Sequence, residues 1–173
     1  MATPHSINAK RVVIRRFKKS DTKGFIKFMT DNRITDNLVF DENSKSEHGA
    51  KDLLTITIRS YDKEQPMMAF AIEDKTTGEF IGVCGLNPHN DLEIEVFYAL
   101  LPEAWGKGLA TEVLESLKDF IFAKTNYSTI KAFIKRTNNS SKKVVLKNNF
   151  INLGLVDNEQ FSDQVYLFSL TKE

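Results

Sequence analysis

A chain of 173 residues, with 24 Lys plus Arg against 23 Asp plus Glu and a net charge of +1, can bury a core without covalent staples. The balanced charge excludes a general attraction to nucleic acid or an anionic membrane, so any basic site must be local. The lone cysteine excludes an internal disulfide; Cys84, inside the apolar run "FIGVCGL", reads as a buried, inert thiol that fits a reducing cytoplasm.

No apolar stretch approaches a membrane span, and the polar beginning "MATPHSINAKR" lacks a signal core, so a soluble cytoplasmic protein is expected. No repeat, low-complexity tract or linker divides the chain, and residues 1–173 are expected to form one α/β domain. "RVVIRRF", Arg11 to Phe17, has strand-forming density; Phe25, Phe28 and Met29 then recur at helical spacing after Ser20-Asp21. Ser44 and Glu47 have capping-box spacing ahead of Leu53, Leu54, Ile58 and Tyr61, which predicts a helix, although "TITI" alternates like a strand. "MMAFAIED" and "EFIGVCGLN" flank the polar turn Lys75-Thr76-Thr77-Gly78 and predict an antiparallel hairpin. "LEIEVFYALL", Leu92 to Leu101, is a further strand.

The segment "PEAWGKGLATEVLESL" follows. Leu109, Val113, Leu114, Leu117 and Ile121 form an apolar helix face, and "STIKAFI" reads as a strand after it. Strand, helix, strand implies one parallel, right-handed crossover in an otherwise mostly antiparallel sheet. "SSKKVVLKN" predicts a short helix with Ser140 or Ser141 as N-cap, ended at Asn148-Asn149, where asparagine can take a left-handed conformation. "FINLGL" and "QVYLFSL" are expected to close the sheet.

Gly106 and Gly108 at a helix start keep consecutive N–H groups uncovered, which is how an anion site is built. A P-loop does not fit, because Lys107 is followed by Gly108 rather than Ser or Thr. A dinucleotide fingerprint fits poorly, because its third glycine falls on Thr111. A simple tight turn remains open on these residues alone.

Together with "NNSSKKVVLKNNF" and "GEFIGVCGLN", however, "EVFYALLPEAWGKGLATEVLESL" resembles the GNAT superfamily of acyl-CoA-dependent N-acetyltransferases, closest to the ribosomal-protein N-terminal acetyltransferases of the RimJ and RimL type. The resemblance runs from about Arg11 to Leu155. The family's cofactor loop, Gln/Arg-x-x-Gly-x-Gly/Ala, falls on Trp105, Gly106, Lys107, Gly108, Leu109 and Ala110, with Trp105 in place of the usual Gln or Arg. By that resemblance, N–H groups from Trp105 to Thr111 would hold the coenzyme A pyrophosphate. The strand end Ala99, Leu100 and Leu101 would pair with the pantetheine arm. Family folds splay this strand from the next one to admit the arm.

The implied reaction is attack of a neutral amine on the acetyl thioester, with an oxyanion held by backbone N–H and a thiolate leaving. At pH 7 an α-amine is about a tenth neutral, whereas a lysine side chain is neutral at only a few parts in ten thousand. An α-amine therefore needs only modest base assistance. Glu93 and Glu95 alternate with Ile94 and Val96, so both carboxylates face one side. Glu95 aligns with a glutamate frequent in the branch and is the candidate base, whereas Glu93 reads as a solvated residue.

Asn138 and Ser141 match the family's Asn-x-x-Ser, as a pantetheine contact and a hydroxyl near the thioester. Val145 stands where many members carry a tyrosine acid, so Ser141 or water would have to protonate the thiolate. His5, His48 and His89 share no metal-ligand spacing, and no metal is expected; His89 could line the acceptor side or be a solvated loop residue. "KRTNNSSKK" is the one locally basic segment, available to the adenosine 3′-phosphate, an acidic substrate or RNA, or simply solvated.

The expected activity is transfer of acetyl from acetyl-CoA to a primary amine, first a protein N-terminus. A small-amine or aminoglycoside acceptor and a non-catalytic acyl-CoA-binding module are the alternatives. A strongly acidic acceptor groove would favour the small amine. The chain could be a monomer or a homodimer.

Overall fold

The computed structural model describes residues 3–172. Two short strands open it: β1, Ser6–Asn8, and β2, Val12–Arg15, whose Val-Val-Ile run supplies branched side chains suited to a pleated surface. Helices α1, Thr22–Met29, α2, Asn32–Thr35, and α3, Glu47–Ser60, follow. The hairpin of β3, Ala69–Asp74, and β4, Phe80–Pro88, leads into β5, Glu93–Leu100. Helix α4, Leu109–Lys124, crosses over to β6, Thr129–Lys135, and α5, Asn139–Lys147, precedes β7, Ile151–Val156, and β8, Val165–Thr171.

The eight strands form one sheet in the order β1-β2-β3-β4-β5-β6-β8-β7. Among the described residues only β5 and β6 run parallel, as a strand–helix–strand connection requires. The expected mixed α/β sheet with a single parallel pair is therefore present. The turn between β3 and β4 forms as its residues dictate: Asp74 accepts the Thr76 and Thr77 N–H groups, and Gly78 takes a φ of 71°.

Helices cover both faces. On one, Phe25, Phe28 and Met29 of α1 and Leu54 of α3 pack with Ala71 and Val83 of the sheet; each large buried side chain contributes about 1.5–3 kcal/mol. On the other, Val113, Leu114, Leu117 and Ile121 of α4 meet Ile94, Val96 and Leu100 of β5, with Val145 of α5 alongside. The start of α1 is tied to β2 and β3 by Arg15. Its guanidinium forks onto both Asp21 oxygens at 2.8 Å and reaches Glu73 at 2.6 Å. Hydrogen bonding to Asp21, opposed by burial and supported by Glu73, leaves the Arg15 pKa raised.

Four local expectations are corrected. Strand β1 and helix α2 are additional elements, too short to show a period. Helix α3 is capped by Ser46, whose Oγ accepts the Gly49 N–H, rather than by a Ser44–Glu47 box. Ser44 instead lies in a preceding 3-10 turn, buried and bonded to Asp41. Helix α5 is capped by Asn138 rather than by Ser140 or Ser141. At its far end Asn149 has a φ of 67°, the left-handed conformation anticipated there.

Candidate functional site

The glycine segment connects β5 to α4. Gly106 and Gly108 have φ values of 72° and 75°, a region costly for any residue with a Cβ. A Cβ on Gly106 would meet nothing within 4 Å, and one on Gly108 would meet only Arg11 Nη2 at 3.7 Å. The space above the loop is therefore open. The first intrahelical bond of α4 runs from Glu112 N–H to Gly108 C=O at 3.3 Å. The preceding N–H groups of Leu109, Ala110 and Thr111 have no acceptor among the described residues, and no side chain caps the helix.

Two long-range contacts fix this loop. Trp105 Nε1 donates to Leu100 C=O at 2.7 Å, folding the loop back onto the end of β5, which gives the indole a role at the position where Gln or Arg is usual. Arg11, in the turn between β1 and β2, donates from Nη1 to Lys107 C=O at 2.9 Å and from Nε to Glu112 at 2.8 Å. Because C=O and N–H point oppositely across a trans peptide, drawing the Lys107 carbonyl toward Arg11 turns the Gly108 N–H the other way. Burial acts to raise the Glu112 carboxyl, but the Arg11 main-chain and guanidinium donors outweigh it and hold the pKa below the ordinary value. Asn148, buried, binds the Thr111 and Val144 carbonyls and docks α5 onto the first turn of α4.

From this loop a gap opens into the sheet. Strands β5 and β6 pair only at Glu93↔Thr129, Ile94↔Ile130 and Glu95↔Lys131, although β5 runs on to Leu100 and β6 to Lys135. Pairing with β4 commits the main chain of Phe97 and Ala99, and Leu101 N–H donates to Ile81 C=O. The alternate residues Tyr98 and Leu100 consequently direct their main-chain groups toward the gap. Of the three strand-end residues expected along the pantetheine arm, Leu100 thus borders the gap, whereas Ala99 and Leu101 bond on the β4 side.

On the α1/α3 face the point of separation opens into a cavity of about 950 Å³. The segments 37–44 and 64–69, Leu53 and Thr57 of α3, and Gln160 and Phe161 of the β7–β8 loop line it together with Glu95, Phe97 and Phe133. Glu95 is buried, and His89 Nε2 stands 3.3 Å from its Oε2. The His89 ring also lies 5.9 Å from that of Phe133. His89 is therefore a neighbour of Glu95 rather than a detached loop residue. Glu93 is not simply solvated. Lys131 at 2.8 Å and Asn90 at 2.8 Å bind it, and the Lys131 hydrogen bond, foremost, keeps its carboxyl below the ordinary value.

The start of α5 lies on the opposite face. Asn138 Oδ1 accepts the Ser141 N–H at 3.1 Å, and the Tyr98 hydroxyl donates to Ser141 C=O at 3.4 Å. Burial pushes the Tyr98 phenol above its ordinary value. Ser141 and Glu95 are not hydrogen-bonded to one another; the gap is what relates them. Val145 is fully buried in the core. In the basic segment, Lys135 bonds to Asp36 C=O, and Lys142 bonds to Arg136 C=O while sitting 5.0 Å over the Tyr166 ring. Among the described residues no group of three or more His, Cys, Asp or Glu could hold a metal ion, and no helix is long and apolar enough to cross a membrane.

Sequence reasoning missed Arg11, Tyr98 and Asn148 as parts of this region. Arg11 carries no local signal, because its partners lie 96 and 101 residues away. Tyr98 was legible only as one strand residue among several.

The uncovered N–H groups, the open space over two left-handed glycines and the parted strands together fit an elongated ligand with an anionic end and an amide-rich arm, as coenzyme A has. The family described as Acetyltransferase (GNAT) domain matches residues 11–151. The N-acetyltransferase p20 of Bacillus licheniformis is 28% identical over 173 residues, spanning 96% of each chain. Among solved structures, Mycobacterium smegmatis RimJ in complex with CoA-disulfide superimposes with a TM-score of 0.81 at 18% identity, over 97% of this chain and 88% of that one. The ribosomal-protein-S5-alanine acetyltransferase of Vibrio fischeri gives 0.78 at 20% identity, over 97% of each.

Proposed function

We propose, from the premise that this chain belongs to the GNAT acetyltransferase family and is an acetyl-CoA-dependent N-acetyltransferase, that its acceptor is the α-amine of a peptide or protein N-terminus. The observation that carries this reading is the position of Glu95. It is a buried carboxylate in the cavity on one face of the sheet, at the last register pair before β5 and β6 part. An amine in the cavity and an arm along the gap would meet there. A neighbouring fold that acts on a ribosomal protein, as the name of the Vibrio fischeri enzyme states, supports the same direction.

In this reading the N–H groups of Gly108 to Thr111 hold the pyrophosphate, with Trp105 and Arg11 keeping the loop in shape. Tyr98 offers its main-chain groups, and Leu100 its N–H, to the pantetheine arm. When bound, acetyl-CoA supplies the thioester carbonyl that the amine attacks. Glu95 takes the ammonium proton directly or through one water, and His89 orients its carboxylate. An α-amine needs little from such a base, because about a tenth of it is already neutral at pH 7. Ser141 or water returns a proton to the thiolate, since Val145 cannot.

Calorimetric titration with acetyl-CoA, followed by thiol release on adding peptides with free and with blocked N-termini, tests the proposal. Release with free N-termini only supports it. Release with lysine side chains or aminoglycosides in place of α-amines would sink the acceptor assignment.

A further inference from the structure

The cavity that holds Glu95 has a composition that selects among amines. Exposed Asp41 and Glu64 and buried Glu95 contribute carboxylates to its lining, and among the described residues no lysine, arginine or histidine lines it. Asp41 is fixed in place by the Ser44 N–H at 3.0 Å and the Ser44 hydroxyl. That hydroxyl, foremost, keeps the Asp41 carboxyl below its ordinary value and so charged at neutral pH. Most of the remaining wall is apolar, with Phe40, Phe97 and Phe161 prominent.

We infer that the acceptor is a primary amine carried by a bulky apolar body with no carboxylate next to the nitrogen: within the proposed function, an N-terminus headed by a large apolar residue. The inference rests on the acetyltransferase reading of this site. An ammonium entering meets three carboxylates and aromatic faces, which attract it. A free amino acid brings its own carboxylate into the same field, where among the described residues no lysine or arginine lines the wall, and like charges repel. Three carboxylates among 26 lining residues do not make the strongly acidic groove that would favour an aminoglycoside, and most of its hydroxyls would face apolar wall rather than Asn37, Gln65, Asn87 or Gln160. A first residue as small as alanine leaves the faces of Phe97 and Phe161 without an apolar partner, which a large apolar side chain would cover.

The test measures thiol release by the full chain at saturating acetyl-CoA with phenylalaninamide, alaninamide, free phenylalanine and kanamycin. Phenylalaninamide is expected to exceed each of the others by at least about tenfold in kcat/KM, the discrimination that one or two methylenes give in an apolar pocket. Phe161→Ala is expected to narrow the gap between phenylalaninamide and alaninamide while leaving acetyl-CoA affinity unchanged. Equal or better use of alaninamide, free phenylalanine or kanamycin overturns the acceptor class and leaves the acetyltransferase standing. Acetyl-CoA binding with no thiol release on any amine, peptides included, overturns the reading on which the inference rests, and the inference with it.

Discussion

His89 Nε2 stands 3.3 Å from Glu95 Oε2, with the imidazole side chain 36% exposed and the carboxylate side chain 10% exposed. A nearly enclosed carboxylate thus has one side-chain hydrogen-bond partner among the described residues, and that partner reaches solvent. If Glu95 is the base, the imidazole is both what aims it and the route by which a proton leaves. Glu95→Gln is expected to lower kcat at pH 7 by about tenfold, since about a tenth of an α-amine is already neutral there, with acetyl-CoA affinity intact. His89→Ala should lower kcat by less. Steady-state thiol release beside calorimetric Kd separates the two effects; an unimpaired Glu95→Gln enzyme would remove Glu95 from the mechanism.

The glycine loop makes a different prediction, about binding alone. Gly108→Val puts a branched side chain at a φ of 75°, in the space above the N–H groups of α4. Losing one charge-assisted hydrogen bond there removes about 1.5–3 kcal/mol, a rise in acetyl-CoA Kd of roughly 10- to 150-fold. Unchanged affinity would mean that the segment is only a turn.

Arg11 is expected to act on the cofactor through the loop rather than on the chemistry. Its side chain is 48% exposed, so removing it should cost about 1 kcal/mol of cofactor binding, roughly fivefold in Kd. Turnover at saturating acetyl-CoA should stay the same. Arg11→Ala and Glu112→Gln should be non-additive in Kd, because the Arg11 Nε–Glu112 ion pair is lost in both, while the Lys107 contact is lost in Arg11→Ala alone. Additive effects would show that they serve the site separately.

Cys84 is buried in β4, and burial pushes its thiol pKa upward. A thiol whose folded pKa lies above its unfolded value stabilises the fold fully below about pH 8.5, and that stability falls away as pH rises toward the folded value. Tyr61, pushed up to about 12 chiefly by burial, adds the same trend from about pH 10. The melting temperature should therefore drop from pH 8 to 10.5 more steeply in wild type than in Cys84→Ala. Native protein should also leave Ellman's reagent unreacted at pH 8, which keeps thiol-release assays clean. Rapid labelling of the native chain would contradict the burial argument.

Features written into neighbouring residues were legible in the sequence. The Lys75–Gly78 turn, the apolar face of α4, the left-handed Asn149 and the paired glycines each follow from side chains within a few positions of one another. Caps were mistaken where several candidates crowd together: Ser44 and Ser46, or Asn138, Ser140 and Ser141, differ only in which one the chain presents to the free N–H groups. The neighbours of Glu95 across the cavity, the reach of Arg11 to Lys107 and the extent of the β5–β6 gap depend on sheet order and register. Those are set by packing between segments up to a hundred residues apart, and no local pattern encodes them.

The parting of β5 from β6 also has a thermal consequence. Strands β1 to β5 are joined to β6, β8 and β7 by three register pairs at the waist of the sheet. A ligand laid along the gap would bridge the two halves with main-chain hydrogen bonds, and at a hundred times its Kd it would add about 2.7 kcal/mol to the folded state. The melting temperature of this protein would then rise with the concentration of the ligand that fills the gap.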